Sequence, residues 1–332
     1  MKNNMVIVSG ISSMESLVDR VENGAKEVFL GYIDEQWYSE YGYLISPNRR
    51  WGREANFSSI IDLKEAINYA HDKAVLISLA LNAHKYTDHQ LDKILFLLKK
   101  VVPLGIDNII ISDFTLIEMI KRKFPDVNIH ISTGGVIFNS MSVKFYKSLG
   151  VKRIIFERSL SMEEVIDIAK CDQDLEYEVF VNGSRCANID GLCNFEHSIM
   201  SIGKNNFDNY PMCSLKYNFK LHTKKDINSV ETERLIERVK ERQYFCSYPK
   251  ACAACYIYDF YHAGINYVKI PARAMVGSEN RKIINSETNF ISKCIEFIEK
   301  ASSSTEYKKY IRNMYSEDFG YTCFEYCERC YY

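Results

Sequence analysis

The stretch NIIISDFTLIEMIKRKFPDVNIHISTG, Asn108 to Gly134, decides the fold. It begins with a short apolar run rich in β-branched isoleucine, closed by Ser112 and Asp113. The segment TLIEMIKRKFP then spaces its apolar residues at helical intervals and stops at Pro125. A second short run, NIHISTG, follows. A strand, one helix and another strand in this order form a parallel βα unit, because a hairpin turn cannot return a chain to run parallel to itself.

Working outward, the same alternation recurs along the chain. Candidate strands are MVIVSG, EVFLGY, AVLISLALN, NIIISD, NIHISTG, RIIFERS, YEVFVNG and NYVKIPAR, which makes eight. Between them lie amphipathic segments such as SSIIDLKEAINYAHDK and SMEEVIDIAK. Eight βα units are the count of a TIM-like (β/α)8 barrel, whose working face is built from the loops that follow the strands. An open doubly wound sheet is the alternative topology.

The spacing breaks once. More than 80 residues separate the seventh strand, ending near Asn182, from the eighth, beginning near Asn266, where one short helix would suffice. Loops of that length in a compact domain are usually functional. The expected organisation is a barrel over 1–286 with a cysteine-rich insertion at 184–262, then a closing helix and a cysteine- and aromatic-rich tail over 287–332.

The 42 basic and 43 acidic residues give a formal charge of −1, so no global field favours a polyanion, although a local basic cleft is invisible in that sum. The opening MKNNMVIVSG holds an apolar segment much too short for a secretion signal, and no run approaches the ~20 apolar residues of a membrane span. A soluble, cytoplasmic protein with no membrane association is expected.

All 11 cysteines lie at or after Cys171. In a reducing compartment, clustered thiols more often bind metal or carry redox chemistry than pair as disulfides. Cys186 and Cys193 bracket the loop leaving strand seven, and Cys213 and Cys252 are placed to fold back onto it. Their gaps of 6, 19 and 38 residues are more dispersed than zinc knuckles, which favours a 4Fe-4S cluster over zinc; buried free thiols are the bland alternative. The tail motif Cys323-x3-Cys327-x2-Cys330 has the spacing of radical-SAM enzymes but ends the chain, with no later strands to surround a cofactor. With Cys246 or Cys255 as fourth ligand, it is a candidate for a second cluster or a zinc.

Polar groups at the predicted strand ends supply the rest of a candidate site. Arg158, Lys269 and Arg273 are suited to orienting anionic groups, with Glu157 beside them. Asn82, Ser132, Thr133 and Asn182 are candidate substrate contacts, and Arg53, after a Gly-flanked loop, is read as reaching the same mouth. An internal ion-pair network with Glu157, Glu178 or Asp113 is the competing explanation for the cations, and His130 reads as a satisfied strand histidine.

Several stretches in order resemble the collagenase-like U32 peptidase family: GAKEVFLGY, WGREANFSSIIDLKEAINYAH, NIHIST with Asn139 downstream, LGVKRIIFERSLSMEEV, EYEVFVNGSRCANIDGLC and HAGINYVKIPAR. The resemblance runs from Gly24 to Lys282. It implies a TIM-like barrel and makes Cys186, Cys193, Cys213 and Cys252 the matches to the family's cluster-binding cysteines, with Cys255 a substitute for the last. It also implies oxygen-independent hydroxylation of a small molecule or RNA, with prephenate as an oxygen-donating co-substrate. A U32-type peptidase and a non-catalytic iron-sulfur partner of a second U32-type subunit are the alternatives. The chain departs from the family pattern at Gly134, Ser159, Asn182 and the Pro271-Ala272 pair, which puts substrate choice in doubt.

Overall fold

The computed structural model describes residues 5–42, 45–50, 52–183, 186, 188–193, 230–238, 251–271, 273, 277–320 and 323. Cys213, Cys246, Cys327 and Cys330 lie outside the described residues. Ten strands are described: β1 Val6–Gly10, β2 Glu27–Leu30, β3 Leu76–Leu81, β4 Asn108–Ile111, β5 Asn128–Ile131, β6 Arg153–Ile155, β7 Glu176–Phe180, β8 Asn182–Gly183, β9 Ala251–Cys252 and β10 Tyr267–Ile270. Eight of them close a barrel in the order β1-β10-β7-β6-β5-β4-β3-β2, every pair parallel. The closed order is that of a TIM barrel, not an open sheet, and its eight strands are those read from the sequence.

Local chemistry sets where the helices start. Ser13, Thr87 and Ser161 form reciprocal capping boxes with Ser16, Gln90 and Glu164, and Ser59, Asp113, Asn139 and Ser303 each accept a first-turn backbone N–H. Asp113 is thus a helix cap. Among the described residues no helix is long and apolar enough to cross a membrane.

Strand pleating sorts the side chains into two sets. Val28, Ile77, Leu79, Ile109, Ile111, Ile129, Ile131, Ile154, Val179 and Val268 are fully buried in the main hydrophobic core. The alternating set fills the barrel in two layers. Near the C-terminal mouth stand Phe29, Ala80, Ile110, Ile155, Phe180 and Lys269. Two residues earlier on the strands stand Glu27, Ser78, Asn108, Arg153, Glu178 and Tyr267, with His130 from β5 among them.

That second layer is polar where barrels ordinarily stack branched apolar residues. Arg153 Nη1 lies 2.8 Å from Glu27 Oε2 and 3.0 Å from Glu178 Oε2, and its guanidinium covers the Tyr267 ring at 3.4 Å. Ser78 Oγ donates to Glu27 Oε1 at 2.6 Å and accepts from Asn108 Nδ2 at 3.1 Å. Glu27, His130 and Glu178 bring ligand atoms within 4.8 Å of one another, but the Arg153 guanidinium already bridges the two carboxylates. Burial, and then the Glu178 charge, push the Glu27 carboxyl up against the pull of Arg153; in Glu178 burial is outweighed by Lys269 and Arg153, which hold it ionised. His130 is a correction to the satisfied-histidine reading. Neither of its ring nitrogens has a hydrogen-bond partner among the described residues, and burial, then Arg153 and Lys269, keep it neutral.

The insertion leaves and re-enters the barrel through a two-stranded antiparallel ribbon, in which Asn182 faces Cys252 and Gly183 faces Ala251. The helix Ile257–His262, inside the predicted insertion, leads directly into β10. The helix Ser278–Glu296 runs through the predicted 286/287 boundary, and the helix Ser304–Phe319 packs on it.

Candidate functional site

The mouth of the barrel holds a cavity floored by Phe29, Ala80, Ile110, Ile155 and Phe180 and ringed by cations: Arg49, Arg50, Arg158, Lys269 and Arg273. Among the described residues Asp190 is the one acidic residue lining it. Arg158 grips Asp190 through Nε at 2.9 Å and Nη2 at 2.5 Å, and Arg49 Nη2 adds a third contact at 3.2 Å. Burial would raise the Asp190 carboxyl, but Arg158, Arg49 and a Thr133 hydrogen bond hold it far below the usual carboxylate range.

Asp190 belongs to the loop between Cys186 and Cys193, so the ion pairs fasten the cysteine loop to the cavity. Glu157 completes the attachment from behind: its carboxylate accepts from Asp190 N at 2.6 Å and from Ser159 N at 2.7 Å. Glu157 is buried and does not line the cavity; it positions the loop. A Cβ on Gly191 would sit 2.4 Å from the Gly134 carbonyl oxygen, so only glycine lets this loop dock so closely. Gly134, a departure from the family pattern, is thereby part of the docking surface. Burial pushes the Cys186 thiol up to about 11, against the pull of Arg158.

A second loop supplies the cations that sequence reading missed. Asn48 is fully buried; its Nδ2 donates to Asn56 Oδ1 at 2.8 Å, and its Oδ1 accepts from Arg50 N at 3.2 Å. Asn56 Nδ2 returns to the Arg50 carbonyl at 2.9 Å. Arg49 takes φ 60°, a left-handed conformation costly for a residue with a Cβ, and such strain concentrates at functional sites. Gly31, at the end of β2, leaves the space in which Asn48, Asn56 and Arg273 meet; a Cβ there would lie 2.8 Å or less from each.

The predicted cations are reached by different partners. Lys269 Nζ is 2.6 Å from Glu178 Oε1 and 4.2 Å from the Phe29 ring centre, so it ties the cavity to the polar layer beneath. Arg273 donates through Nη2 to the Asn48 carbonyl at 2.7 Å, while its buried Nε and Nη1 have no hydrogen-bond partner among the described residues. Burial, then Arg50 and Arg49, push its pKa down to about 9; Arg50 is pushed down to about 10, by burial and then Arg49 and Arg158. Because a guanidinium keeps its proton in proteins, this downward pressure is relieved by taking up an anion.

Asn82 and Ser132 line the cavity and bond to each other at 3.1 Å, and Thr133 lines it beside Asp190. Two predicted contacts are elsewhere. Arg53 is half-exposed, paired with Glu35 at 2.7 Å and lying over the Tyr38 ring. Asn182 is held in the ribbon, facing a separate cleft with Cys252, Phe290, Tyr315 and Phe319. Asp190 was within reach of sequence reading as the acidic residue between two cysteines, and the Asn48-Arg49-Arg50 run as paired cations between aromatic stretches.

The thiols suit a soft metal group. The ribbon sets Cys252 opposite Asn182, four residues before Cys186, but the thiols have different surroundings: Cys186 lies by Arg158 and Asp190 at the cavity, and Cys252 lines the cleft with Phe290, Tyr315 and Phe319.

A sequence model of peptidase family U32 matches residues 12–329. Over 133 residues the chain is 33% identical to tRNA hydroxylation protein P of Escherichia coli, covering 40% of this chain and 29% of that protein. The Helicobacter pylori tRNA hydroxylation protein P is 27% identical over 237 residues, 71% of this chain and 52% of that one. The 23S rRNA 5-hydroxycytidine synthase of Escherichia coli is 26% identical over 163 residues, 49% of this chain and 24% of the relative. The chain spans about half or less of the length of these curated relatives. The matched family model covers nearly the whole chain, and the chain belongs to peptidase family U32.

Proposed function

We propose that this chain is an oxygen-independent RNA hydroxylase whose cationic cavity binds a carboxylate-bearing oxygen donor such as prephenate. The observation that carries the reading is the anion deficit of the cavity: among the described residues five cations line it against one lining carboxylate, and Arg273 Nε and Nη1, both buried, have no hydrogen-bond partner there. A dicarboxylate complements that arrangement through bidentate guanidinium contacts. The likeness to proteins named for tRNA hydroxylation and for 5-hydroxycytidine synthesis in 23S rRNA supports RNA as the other substrate. Phe114, Met141 and Leu192 are largely exposed, Phe114 and Met141 at the starts of the helices that follow β4 and β5 and Leu192 in the cysteine loop. Apolar groups beside a cationic cavity suit an unstacked base.

Cys186, Cys193, Cys213 and Cys252 would hold a 4Fe-4S cluster. When bound, such a cluster supplies one-electron chemistry beside the cavity. The protein's own part is to bind and orient: Arg158 and Arg49 fix the cysteine loop through Asp190, and Arg50 and Arg273 hold the donor's carboxylates. Lys269, anchored on Glu178, keeps a positive charge at the floor. No histidine is among the described residues lining the cavity, and Ser132 is engaged by Asn82, an arrangement that does not activate a hydroxyl for peptide hydrolysis.

The test is mass spectrometry of tRNA and rRNA nucleosides from host cells with and without the gene. A hydroxylated nucleoside should vanish on deletion, return with the wild type, and stay absent with Cys186→Ser or Arg158→Met. An unchanged nucleoside profile on deletion would overturn the reading and turn attention to a binding role beside a second subunit of like fold.

A further inference from the structure

Among the described residues lining the cavity, Lys269 is the one amine; the other four cations are guanidiniums, which hold anions but do not attack carbon. We propose that Lys269 forms an imine with the ketone of a 2-oxo acid, so that the cavity holds its ligand covalently while arginine grips the adjacent carboxylate. This role rests on the cavity's binding a carboxylate-bearing donor, and prephenate itself carries a 2-oxo carboxylate.

The amine is built into an apolar floor. The Lys269 side chain is 6% exposed, and its Nζ lies 4.2 Å from the Phe29 ring centre and 5.9 Å from that of Phe180. A site that excludes water favours a condensation that expels it. Glu178 Oε1 accepts from Nζ at 2.6 Å, and Arg153 Nη1 holds the other carboxylate oxygen at 3.0 Å. Glu178 is therefore a fixed, fully buried base placed to take the proton that an amine sheds before it attacks.

Arg273 supplies the orientation. Its Nη1 stands beside Gly31, 2.8 Å from where a Cβ would lie, whereas Lys269 Nζ stands over Phe29, two residues earlier. Two residues of strand span roughly 7 Å. A 2-oxo acid fits that interval: its carboxylate meets the guanidinium at about 2.8 Å, and the neighbouring ketone carbon then comes within the ~3 Å at which an amine attacks. The buried Nε and Nη1 of Arg273 have no hydrogen-bond partner among the described residues, so this grip displaces none of them.

The step conserves charge. Nζ adds to the ketone carbon and the C=O π pair moves to oxygen; the C–O bond then breaks as C=N forms. The oxygen leaves as water with two of the three ammonium protons, moved across by Glu178, and the third stays on nitrogen. The iminium keeps the positive charge that Glu178 neutralises, and no oxidant or reductant is consumed. Tethering replaces repeated encounter with one fixed position for the ligand.

Reductive trapping tests the proposal. The full chain is incubated with 2-oxoglutarate and cyanoborohydride, which reduces an imine to a stable secondary amine, and labelled lysines are mapped by peptide mass spectrometry. Lys269 should be labelled faster than the exposed Lys64 and Lys300, and glutarate, the dicarboxylate without the ketone, should slow it by competition. Arg273→Met should slow it roughly tenfold or more, the worth of one charge-assisted contact. Lys269→Arg, which keeps a cation beside Glu178, should lose this adduct and retain surface labelling, with a thermal melt to check its folding. Labelling of Lys269 no faster than of the surface lysines overturns the proposal, as does labelling indifferent to both glutarate and Arg273→Met. Binding of 2-oxoglutarate by calorimetry without trapping sinks the imine alone and leaves the donor-binding reading standing. Trapping together with an unchanged nucleoside profile on gene deletion keeps the imine and removes the hydroxylase.

Discussion

Replacing Asp190 with Asn tests the electrostatic logic of the cavity, because it keeps the side chain's shape and removes its charge. In the native protein the carboxylate takes two contacts from Arg158 and one from Arg49, with only 3% of its side chain exposed. Asparagine removes that counter-charge from both guanidiniums and turns an N–H donor toward one of them. Removing one partner of a buried ion pair costs about 3–5 kcal/mol. The Arg158 side chain is 13% exposed, so the lower end applies, about 3 kcal/mol. For 332 residues the unfolding entropy is about 0.7 kcal/mol/K, and a loss of 3 kcal/mol lowers Tm by about 4 °C. The loss has a specific remedy. An anion at a hundredfold excess over its Kd contributes about 2.7 kcal/mol, nearly the whole deficit. Thermal melts of wild type and Asp190→Asn in low-salt buffer, repeated with rising sulfate, measure both effects. The variant should melt lower without sulfate and gain more from it; adding Arg158→Met to Asp190→Asn should restore part of the loss. A variant that melts within 1 °C of wild type, with the same sulfate response, would refute the reasoning.

Two further outcomes follow from neighbouring groups. Arg273→Met removes the cation whose Nε and Nη1 lack partners among the described residues, and loss of a charge-assisted contact of about 1.5–3 kcal/mol should weaken binding of a dicarboxylate roughly 10- to 100-fold by calorimetry, with little change in Tm. His84 has its pKa pushed from 6.5 down to about 4, by burial first and then by Arg49. Between those values the unfolded chain binds the extra proton, so stability falls as pH drops from 6.5 toward 4 and is flat above. The slope from this imidazole stays below about 1.4 kcal/mol per pH unit, reduced further by solvent screening. Urea melts across that window should be less steep in pH for His84→Asn than for wild type, and equal slopes would remove His84 from the account.

What the sequence disclosed and what it hid divide along contact range. The eight strands were legible because period and β-branching are local, and Asp113, Thr87 and Ser161 mark helix starts through bonds only three residues long. Arg158, Lys269 and Arg273 were legible as charges ending strands. Their partners were not: Arg49 meets Asp190 across 141 residues and Arg273 meets Asn48 across 225, distances at which no pattern in the chain records proximity. Arg53 misled for the same reason, since nothing local distinguishes it from Arg49 and Arg50 a few residues earlier. Asn182 was read as the end of the seventh strand, but β7 stops at Phe180 and the ribbon captures Asn182 in β8, opposite Cys252. The polar layer was written in phase all along. Glu27, Ser78, Asn108, His130, Arg153 and Glu178 each lie two residues before a group at the mouth. A barrel that places carboxylates beneath a cationic cavity uses Glu178 to hold Lys269 at its floor, and that pairing leaves Arg273, whose Nε and Nη1 have no partner among the described residues, as the group that an incoming anion meets.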